Sequence, residues 1–168
     1  MLNSIDTTTV IRDGGAVGTF PGEIHEGVAW WLGACLVVTH KAELIAVAHN
    51  EHPVIGEFAS RLCRGAINAQ HYACTVRTLG CQTRDRLRAM LERFGGVPGA
   101  WVSAEDDAGV TTVRIELFGY DGSSLGESTG LAEIRRLIAE DRVPRPVNDQ
   151  AKGQIVPCRY DLTDGGRM

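Results

Sequence analysis

Side chains that could act as acids, bases or metal ligands are concentrated at two points of this chain. The first is the run Glu105, Asp106 and Asp107. Carboxylates on a tight loop are ligands that suit a hard cation such as Mg²⁺ or Ca²⁺. We favour a solvated hairpin loop, because three consecutive carboxylates cannot all point at one ion.

The second point is the pair His49 and His52, which flanks Asn50 and Glu51. Two imidazoles can bind a transition metal, but such a site needs a third ligand, and no sequence feature supplies one. The favoured interpretation is a polar segment that caps the helix after it. His49, His52 and Glu105 are therefore candidates for ligand binding, and no residue is assigned to a metal.

The elements that must position these side chains follow from hydrophobic periodicity. Short apolar or alternating runs predict strands, and apolar residues three to four positions apart predict amphipathic helices. The last two strands have so short a connection that they must form an antiparallel hairpin, with the acidic run in its loop. The predicted elements are a helix over 27–36, a strand over 44–49, a helix from Pro53 to about 67, a strand over 73–80, a helix over 82–94, strands over 99–105 and 111–118, and a helix from Ser128 to Ile138.

This order of elements predicts a three-layer α/β/α domain with a mixed sheet. The sheet should be parallel through the helical crossovers and antiparallel at the last hairpin. We place the domain in residues 1–143. Pro144, Pro146 and the polar residues after them predict a C-terminal tail over 144–168, and the glycines within 14–18 predict a flexible turn.

Composition and charge exclude several classes of protein. The 168 residues are 43% hydrophobic and 23% charged, which is typical of a globular protein with a buried core. A formal net charge of −4 argues against non-specific nucleic-acid binding, which needs a basic face. The longest apolar run, about 28–38, is too short for a bilayer span, and the N-terminus does not resemble a signal peptide. With five cysteines and no CxxC pair, we expect a cytoplasmic protein with reduced thiols.

Trp30 and Trp31 lie side by side in the almost wholly apolar helix over 27–36. Adjacent helical residues point about 100° apart, so both are buried only if the helix is covered on two sides. One interpretation places one tryptophan in the core and the other at its rim. In the other interpretation, a partner protein covers the second side of this helix, and we expect a homodimer with these tryptophans at its interface.

The segment Gly99-Ala-Trp-Val-Ser-Ala-Glu-Asp-Asp-Ala108 and the later Phe118-Gly-Tyr-Asp-Gly122 resemble a known pattern. They are similar to the phosphoserine loop and the following strand and turn of the α-D-phosphohexomutases, the phosphomannomutase and phosphoglucomutase family. The resemblance extends from about 15 to about 138, which corresponds to the N-terminal domain, domain I, and to about a third of such an enzyme. It implies that domain's three-layer fold. Its further segments are 18–24, 45–52, 79–80, 115–118 and 131–138.

The chain departs from the family at the residues that carry the chemistry. In the family a serine within Thr-Ala-Ser-His-Asn-Pro carries the phosphoryl group, and Glu105 stands at that position. Asp106 and Asp107 replace the histidine and asparagine, Glu116 replaces a lysine, and the arginines of two further motifs are absent. A carboxylate cannot form the same stable ester, and it more nearly imitates the charge of a phosphoserine.

The resemblance therefore implies a stand-alone domain that has lost mutase catalysis and acts as a non-catalytic binding or interaction module. Its partner would be another protein, a second copy or a phosphosugar-like ligand. We expect no cofactor, and Mg²⁺ would enter only with residual mutase-like activity. Two alternatives stay open: an enzyme that acts on a phosphosugar or related metabolite through Glu105, Asp106 and the histidines, and a subunit of a split mutase.

Overall fold

The computed structural model describes residues 5–69, 73–144 and 152–158. The strands are β1 (Ile11–Arg12), β2 (Gly15–Phe20), β3 (Leu44–His49), β4 (Thr75–Cys81), β5 (Gly99–Asp107), β6 (Val110–Phe118) and β7 (Gln154–Pro157). The helices are α1 (Thr7–Val10), α2 (Glu26–His40), α3 (Ile55–Ile67), α4 (Arg84–Arg93) and α5 (Leu131–Ala139), and a 3₁₀ turn covers Glu127–Thr129.

The seven strands form one mixed sheet between two layers of helices. The strand order is β1-β2-β6-β5-β3-β4-β7. The neighbours β5, β3, β4 and β7 run parallel, whereas β5–β6, β6–β2 and β2–β1 are antiparallel. Helix α4 covers one face, and α2, α3 and α5 pack on the other. The predicted three-layer α/β/α architecture with a mixed sheet is confirmed.

The carboxyl ends of the parallel strands meet at one end of the sheet. The parallel strands β3, β4 and β5 end at the same edge, where β5 also continues into the hairpin with β6. The chain leaves β3 for α3 on one face and leaves the adjacent β4 for α4 on the other. Neighbouring strands whose connections diverge to opposite faces open a crevice at their carboxyl ends, and ligands of open α/β sheets bind there.

Two predictions about the ends of the domain need correction. The flexible turn expected over 14–18 is wrong, because β2 begins at Gly15 and pairs with β6 along its whole length. A side chain at Gly15 would overlap the carbonyl oxygen of Ile115, so the glycine permits close approach of the two backbones. In the segment 144–168, expected as a tail, β7 joins the sheet beside β4. Residue 143 is therefore not the end of the folded part.

Helix α2 is apolar because other elements of the chain cover it. It contacts both α3 and α5. A Cβ at Gly33 would overlap the carbonyl oxygen of Leu62, and one at Gly65 would overlap that of Trp30, so two glycines bring the α2 and α3 backbones together. Trp30 and Trp31 are both half-buried. The apolar composition of α2 thus has an explanation within one copy, and the homodimer stays a prediction.

Candidate functional site

The β5–β6 hairpin has no open acidic loop. Its backbone pairing continues without interruption from Gly99 opposite Phe118 to Asp107 opposite Val110. Glu105, Asp106 and Asp107 are therefore residues of β5, and the expected loop is wrong. Ala108 and Gly109 make the turn with φ of 51° and 78°. Positive φ at both central residues is the pattern of a type I′ turn, whose twist matches that of the paired strands.

Strand alternation separates the acidic side chains that the sequence places together. Successive side chains of a strand point to opposite faces of the sheet. Trp101 belongs to the core beneath α4, and Ala104 belongs to the core beneath the other helices. Glu105 therefore lies on the α4 face and Asp106 on the α3 face. Because of this separation, Glu105 and Asp106 do not form an acid–base pair.

Asp106 is held by two neighbours across the hairpin and the sheet. Its Oδ1 accepts hydrogen bonds from the Thr111 hydroxyl at 2.6 Å and from Nε2 of His52 at 2.9 Å. These bonds lower the pKa of Asp106, with that from Thr111 the larger cause. Nδ1 of His52 accepts from the backbone N–H of Val54 at 3.2 Å, which assigns the proton to Nε2. The His52 imidazole therefore joins the start of α3 to the hairpin.

His49 and His52 have different hydrogen-bond partners. Its Nδ1–H donates to the Asn50 carbonyl oxygen at 2.9 Å, and its side chain lies against α3, in a cavity with Cys63 and Ile155. In the described parts of the chain, no group of three or more His, Cys, Asp or Glu side chains is placed to hold a metal ion.

Glu116 forms an ion pair with Arg84. The Arg84 guanidinium donates to both carboxylate oxygens at 2.6 and 2.8 Å, and the hydroxyl of Ser124 also donates to Glu116. Burial alone would raise the pKa of Glu116, but the bonds from Arg84 and Ser124 outweigh it, and the pKa is lowered. Arg84 also lies over the ring of Phe118, 5.4 Å from its centre.

A cleft of about 660 Å³ lies at the crevice between the carboxyl ends of β3 and β4. Asn50 and Glu51 line it from one side, Cys81 and Gln82 from another, and Trp101 forms part of its wall. The Asn50 amide is not free to move, because it donates to the Ala104 carbonyl oxygen at 2.9 Å and accepts from the Ala104 N–H at 3.1 Å. The Asn50 side chain therefore adds two hydrogen bonds to β5 just beyond the end of the β3–β5 pairing.

Sequence reasoning missed three residues of this edge: Asn50 as a backbone-like bridge, Trp101 as a wall, and Arg84 as the partner of Glu116. The last had a usable signal. Glu116 lies between the apolar residues Ile115 and Leu117, and a carboxylate buried there needs a nearby cation. Arg84 directly follows Thr83, whose hydroxyl caps α4. No sequence pattern marked Asn50 or Trp101.

The aromatic residues of α2, Trp30 and Trp31, make contacts separate from those of Asp106 and Glu116. The Trp31 ring meets the His25 ring edge-on, with centroids 5.2 Å apart. Nδ1 of His25 accepts from the N–H of Gly27 and so caps α2. The tryptophans thus belong to the packing of α2, and no contact in the described residues joins them to Asp106 or Glu116.

Comparison with solved structures finds the same fold in sugar-phosphate mutases. A phosphoglucomutase/phosphomannomutase family protein from Burkholderia thailandensis superposes with a TM-score of 0.67 at 13% identity, over 96% of this chain and 34% of that one. A protein from Thermus thermophilus described as a phosphomannomutase gives a TM-score of 0.63 at 15% identity, over 85% of this chain and 31% of that one. At this identity the likeness is one of fold.

The chain spans about a third of the length of these two structures. No family model matches the sequence, and no curated protein matches it. In the residues that the structure describes, no helix is both long and apolar enough to cross a membrane.

Proposed function

We propose that this chain is a phosphomannomutase/phosphoglucomutase domain I-like protein that has lost the phosphoserine and acts as a non-catalytic binding or interaction module. The observation that carries this proposal is the closed β5–β6 hairpin. Where the resemblance aligns a loop with a serine nucleophile, β5 and β6 stay paired up to a two-residue turn. Asp106, beside the aligned serine position, already accepts bonds from His52 and Thr111.

The electrostatics of the Arg84–Glu116 pair support the same conclusion. Phosphoryl transfer relies on cations that stabilise the charge of the transition state. Glu116 places a carboxylate where the family has a lysine, and both of its oxygens engage the Arg84 guanidinium. That guanidinium is therefore not available to a phosphoryl group unless the pair is broken.

A mutase assay tests the loss of catalysis. Purified protein is mixed with mannose 1-phosphate or glucose 1-phosphate, Mg²⁺ and a hexose bisphosphate activator, and formation of the 6-phosphate is followed. We expect the rate of a protein-free control. Turnover above that control which Glu105→Gln or Asp106→Asn abolishes would overturn the proposal and favour the alternative, an enzyme acting through Glu105 and Asp106. Turnover equal in the wild type and both variants would identify a contaminant.

Partial restoration of the family motif should not create activity. Glu105→Ser with Asp106→His returns two residues of that motif, but the hairpin stays closed and Glu116 stays in the lysine position. We expect no phosphotransfer from this double variant in the same assay. Detectable transfer would show that the chain lacks only the nucleophile, and it would contradict the proposed loss of the other catalytic groups.

A phosphosugar-like ligand remains the small-molecule partner in this proposal. Arg114 stands exposed on β6 directly opposite Ser103, and the structure describes no ion pair for it. Isothermal titration with mannose 6-phosphate and with mannose separates phosphate recognition from sugar recognition. We expect only the phosphate ester to bind, and Arg114→Gln to weaken it. Equal binding of both sugars, or none by either, would leave protein partners as the proposed role.

Self-association is the protein–protein form of this proposal. We assign the half-buried Trp30 and Trp31 on α2 to the interface with a second copy. We also propose that the protein is cytoplasmic and binds no cofactor. Sedimentation equilibrium at micromolar concentration should give twice the monomer mass. A single species of monomer mass across the concentration range would refute the dimer.

A further inference from the structure

A second cavity, of about 340 Å³, lies between α3 and the β3–β4–β7 part of the sheet. It reaches His49 and Gly80 near the carboxyl ends of β3 and β4, on the α3 face of the sheet. Small residues create it. Gly56 and Ala59 of α3 face it, and a Cβ at Gly56 would meet no atom within 4 Å. Gly80, where β4 shifts register against β3, opens it from the sheet side, and a Cβ there would also meet none. The volume is within the range of small-ligand sites.

The lining of this cavity is mostly apolar. Val47 and Ala59 are buried, and Ile155 of β7 is one of the large hydrophobic residues that the described chain leaves exposed. Burial raises the pKa of the Cys63 thiol to about 12, so this side chain lines the cavity as a neutral group. An apolar body of a ligand would therefore be favoured over a charged one.

Two polar groups in the wall have no hydrogen-bond partner among the described residues. One is Nε2 of His49, which is an acceptor because Nδ1–H donates to the Asn50 carbonyl oxygen. The other is the hydroxyl of Thr78, which lies on the strand next to His49 and directly opposite Val47. An acceptor and a hydroxyl on one wall match a ligand group that both donates and accepts, and a hydroxyl is the simplest such group.

We propose that this cavity is a binding site for a small, mainly apolar alcohol or phenol, whose hydroxyl donates to Nε2 of His49 and accepts from Thr78. This proposal is independent of the proposed non-catalytic role, because neither the hairpin nor the Arg84–Glu116 pair lines the cavity. It gives His49 a role that does not involve His52 or a metal.

The test uses two probes of similar size, benzyl alcohol and anisole, of which only the first has a hydroxyl. Each is titrated into ¹⁵N-labelled full-length protein, and amide shifts are followed. We expect shifts at Val47, Ala59, Cys63 and Thr78, with tighter binding of benzyl alcohol. Binding energies of about 0.5–1.5 kcal/mol per hydrogen bond correspond to a preference of roughly 2- to 12-fold. Absence of shifts at these residues up to millimolar probe would overturn the proposal.

Variants distinguish binding in the cavity from hydrogen bonding to the hydroxyl of the probe. His49→Leu keeps an apolar wall and should remove the preference for benzyl alcohol, while anisole binds as before. Ala59→Leu fills the cavity and should abolish binding of both probes, whereas Ala132→Leu, the same change on the exposed face of α5, should leave it intact. Thr78→Val, which keeps the shape of the side chain, is a second test of the hydroxyl contact, and it keeps the proposal testable if Ala59→Leu does not fold. A preference that survives in both His49→Leu and Thr78→Val would refute the assignment of the hydroxyl.

Discussion

The base and the tip of the β5–β6 hairpin hold their carboxylates in different ways. Near the base, Glu116 has a side chain 12% exposed, and Arg84 and Ser124 donate to it. Near the tip, Asp106 has a side chain 63% exposed, and His52 and Thr111 donate to it. Glu116 accepts three hydrogen bonds and Asp106 accepts two. Because water competes at the tip but much less at the base, the base pair should dominate stability and the tip pair should chiefly set orientation.

The largest expected effect is at the base. Phe118 is fully buried in the core under α4 and lies below the Arg84 guanidinium. Phe118→Ala removes its contacts and leaves a cavity, so we expect a loss of about 3–5 kcal/mol in the free energy of unfolding. Chemical denaturation measures it. Val110→Ala, at an exposed residue beside the turn, is the control and should change stability by about 0.5 kcal/mol or less.

A loss below about 1 kcal/mol for Phe118→Ala would contradict the burial of this strand end. A large loss for Val110→Ala would show that the tip contributes as much as the base.

Glu116→Gln comes next, with an expected loss of about 1–3 kcal/mol, because the amide has no charge and leaves only one acceptor oxygen for the two Arg84 donors. The loss is below that of a fully buried pair, since the Arg84 side chain is 38% exposed and reaches water. The lowered pKa of Glu116 gives this loss a pH dependence. Its stabilisation is present above the unfolded-state pKa and disappears as pH falls through the lower folded-state pKa.

Denaturation of wild type and Glu116→Gln from neutral to acid pH tests that sign. The two curves should be separated at neutral pH and converge in acid, as Glu116 is protonated in the wild type. Glu133→Gln, at an exposed carboxylate paired with Arg136 on α5, is the matched control and should have a smaller effect. Curves that stay parallel would show that Glu116 does not titrate with a lowered pKa.

Some elements of this structure could be predicted from the sequence and others could not. Periodicity predicted α2, β3, α3, β4, α4, the hairpin and α5, because their apolar residues recur at strand or helix spacing. It did not predict β2, whose Gly15-Ala-Val-Gly18 run has the composition of a turn but pairs with β6. It also did not predict β7, a four-residue strand in which only Val156 is even partly buried.

The site was harder to predict than the fold, and the reason is local geometry. Spacing placed Glu105, Asp106 and Asp107 together, but a strand sends alternate side chains to opposite faces. The turn residues Ala108 and Gly109 gave a weak hairpin signal, since alanine seldom adopts positive φ. His52 and Asp106 are 54 residues apart in sequence, and only the β3–β5 pairing brings them together.

Ala108→Asn should stabilise the tip of the hairpin. The change in the free energy of unfolding should be smaller than those above and opposite in sign. Ala108 has φ 51°, which an alanine adopts at a cost, whereas Asn-Gly is the preferred pair for this turn. We expect a gain of about 0.5–1 kcal/mol in the free energy of unfolding. Ala132→Asn, within exposed α5, is the control and should reduce stability because asparagine is a weaker helix former. A loss at Ala108→Asn would mean that the tip does not adopt the type I′ turn.

The smallest effect concerns the hydrogen bonds to Asp106, and it is best measured as a pKa. The Thr111 hydroxyl is the larger cause of the lowered pKa of Asp106, and His52 the next. NMR titration of the Asp106 carboxyl carbon should therefore give a pKa below the ordinary 3.8. Thr111→Val should raise it more than His52→Gln does.

Thr112→Val is the matched control, because Thr112 lies opposite Glu105, on the other face of the hairpin, and should leave Asp106 unchanged. In the wild type, the stabilisation from Asp106 should vanish as pH falls through its lowered pKa, and added salt should weaken it because the carboxylate is exposed. A larger change from His52→Gln than from Thr111→Val would show that the imidazole, and not the hydroxyl across the hairpin, holds this carboxylate. In that case the contact from α3 would hold Asp106 more strongly than the contact across the hairpin does.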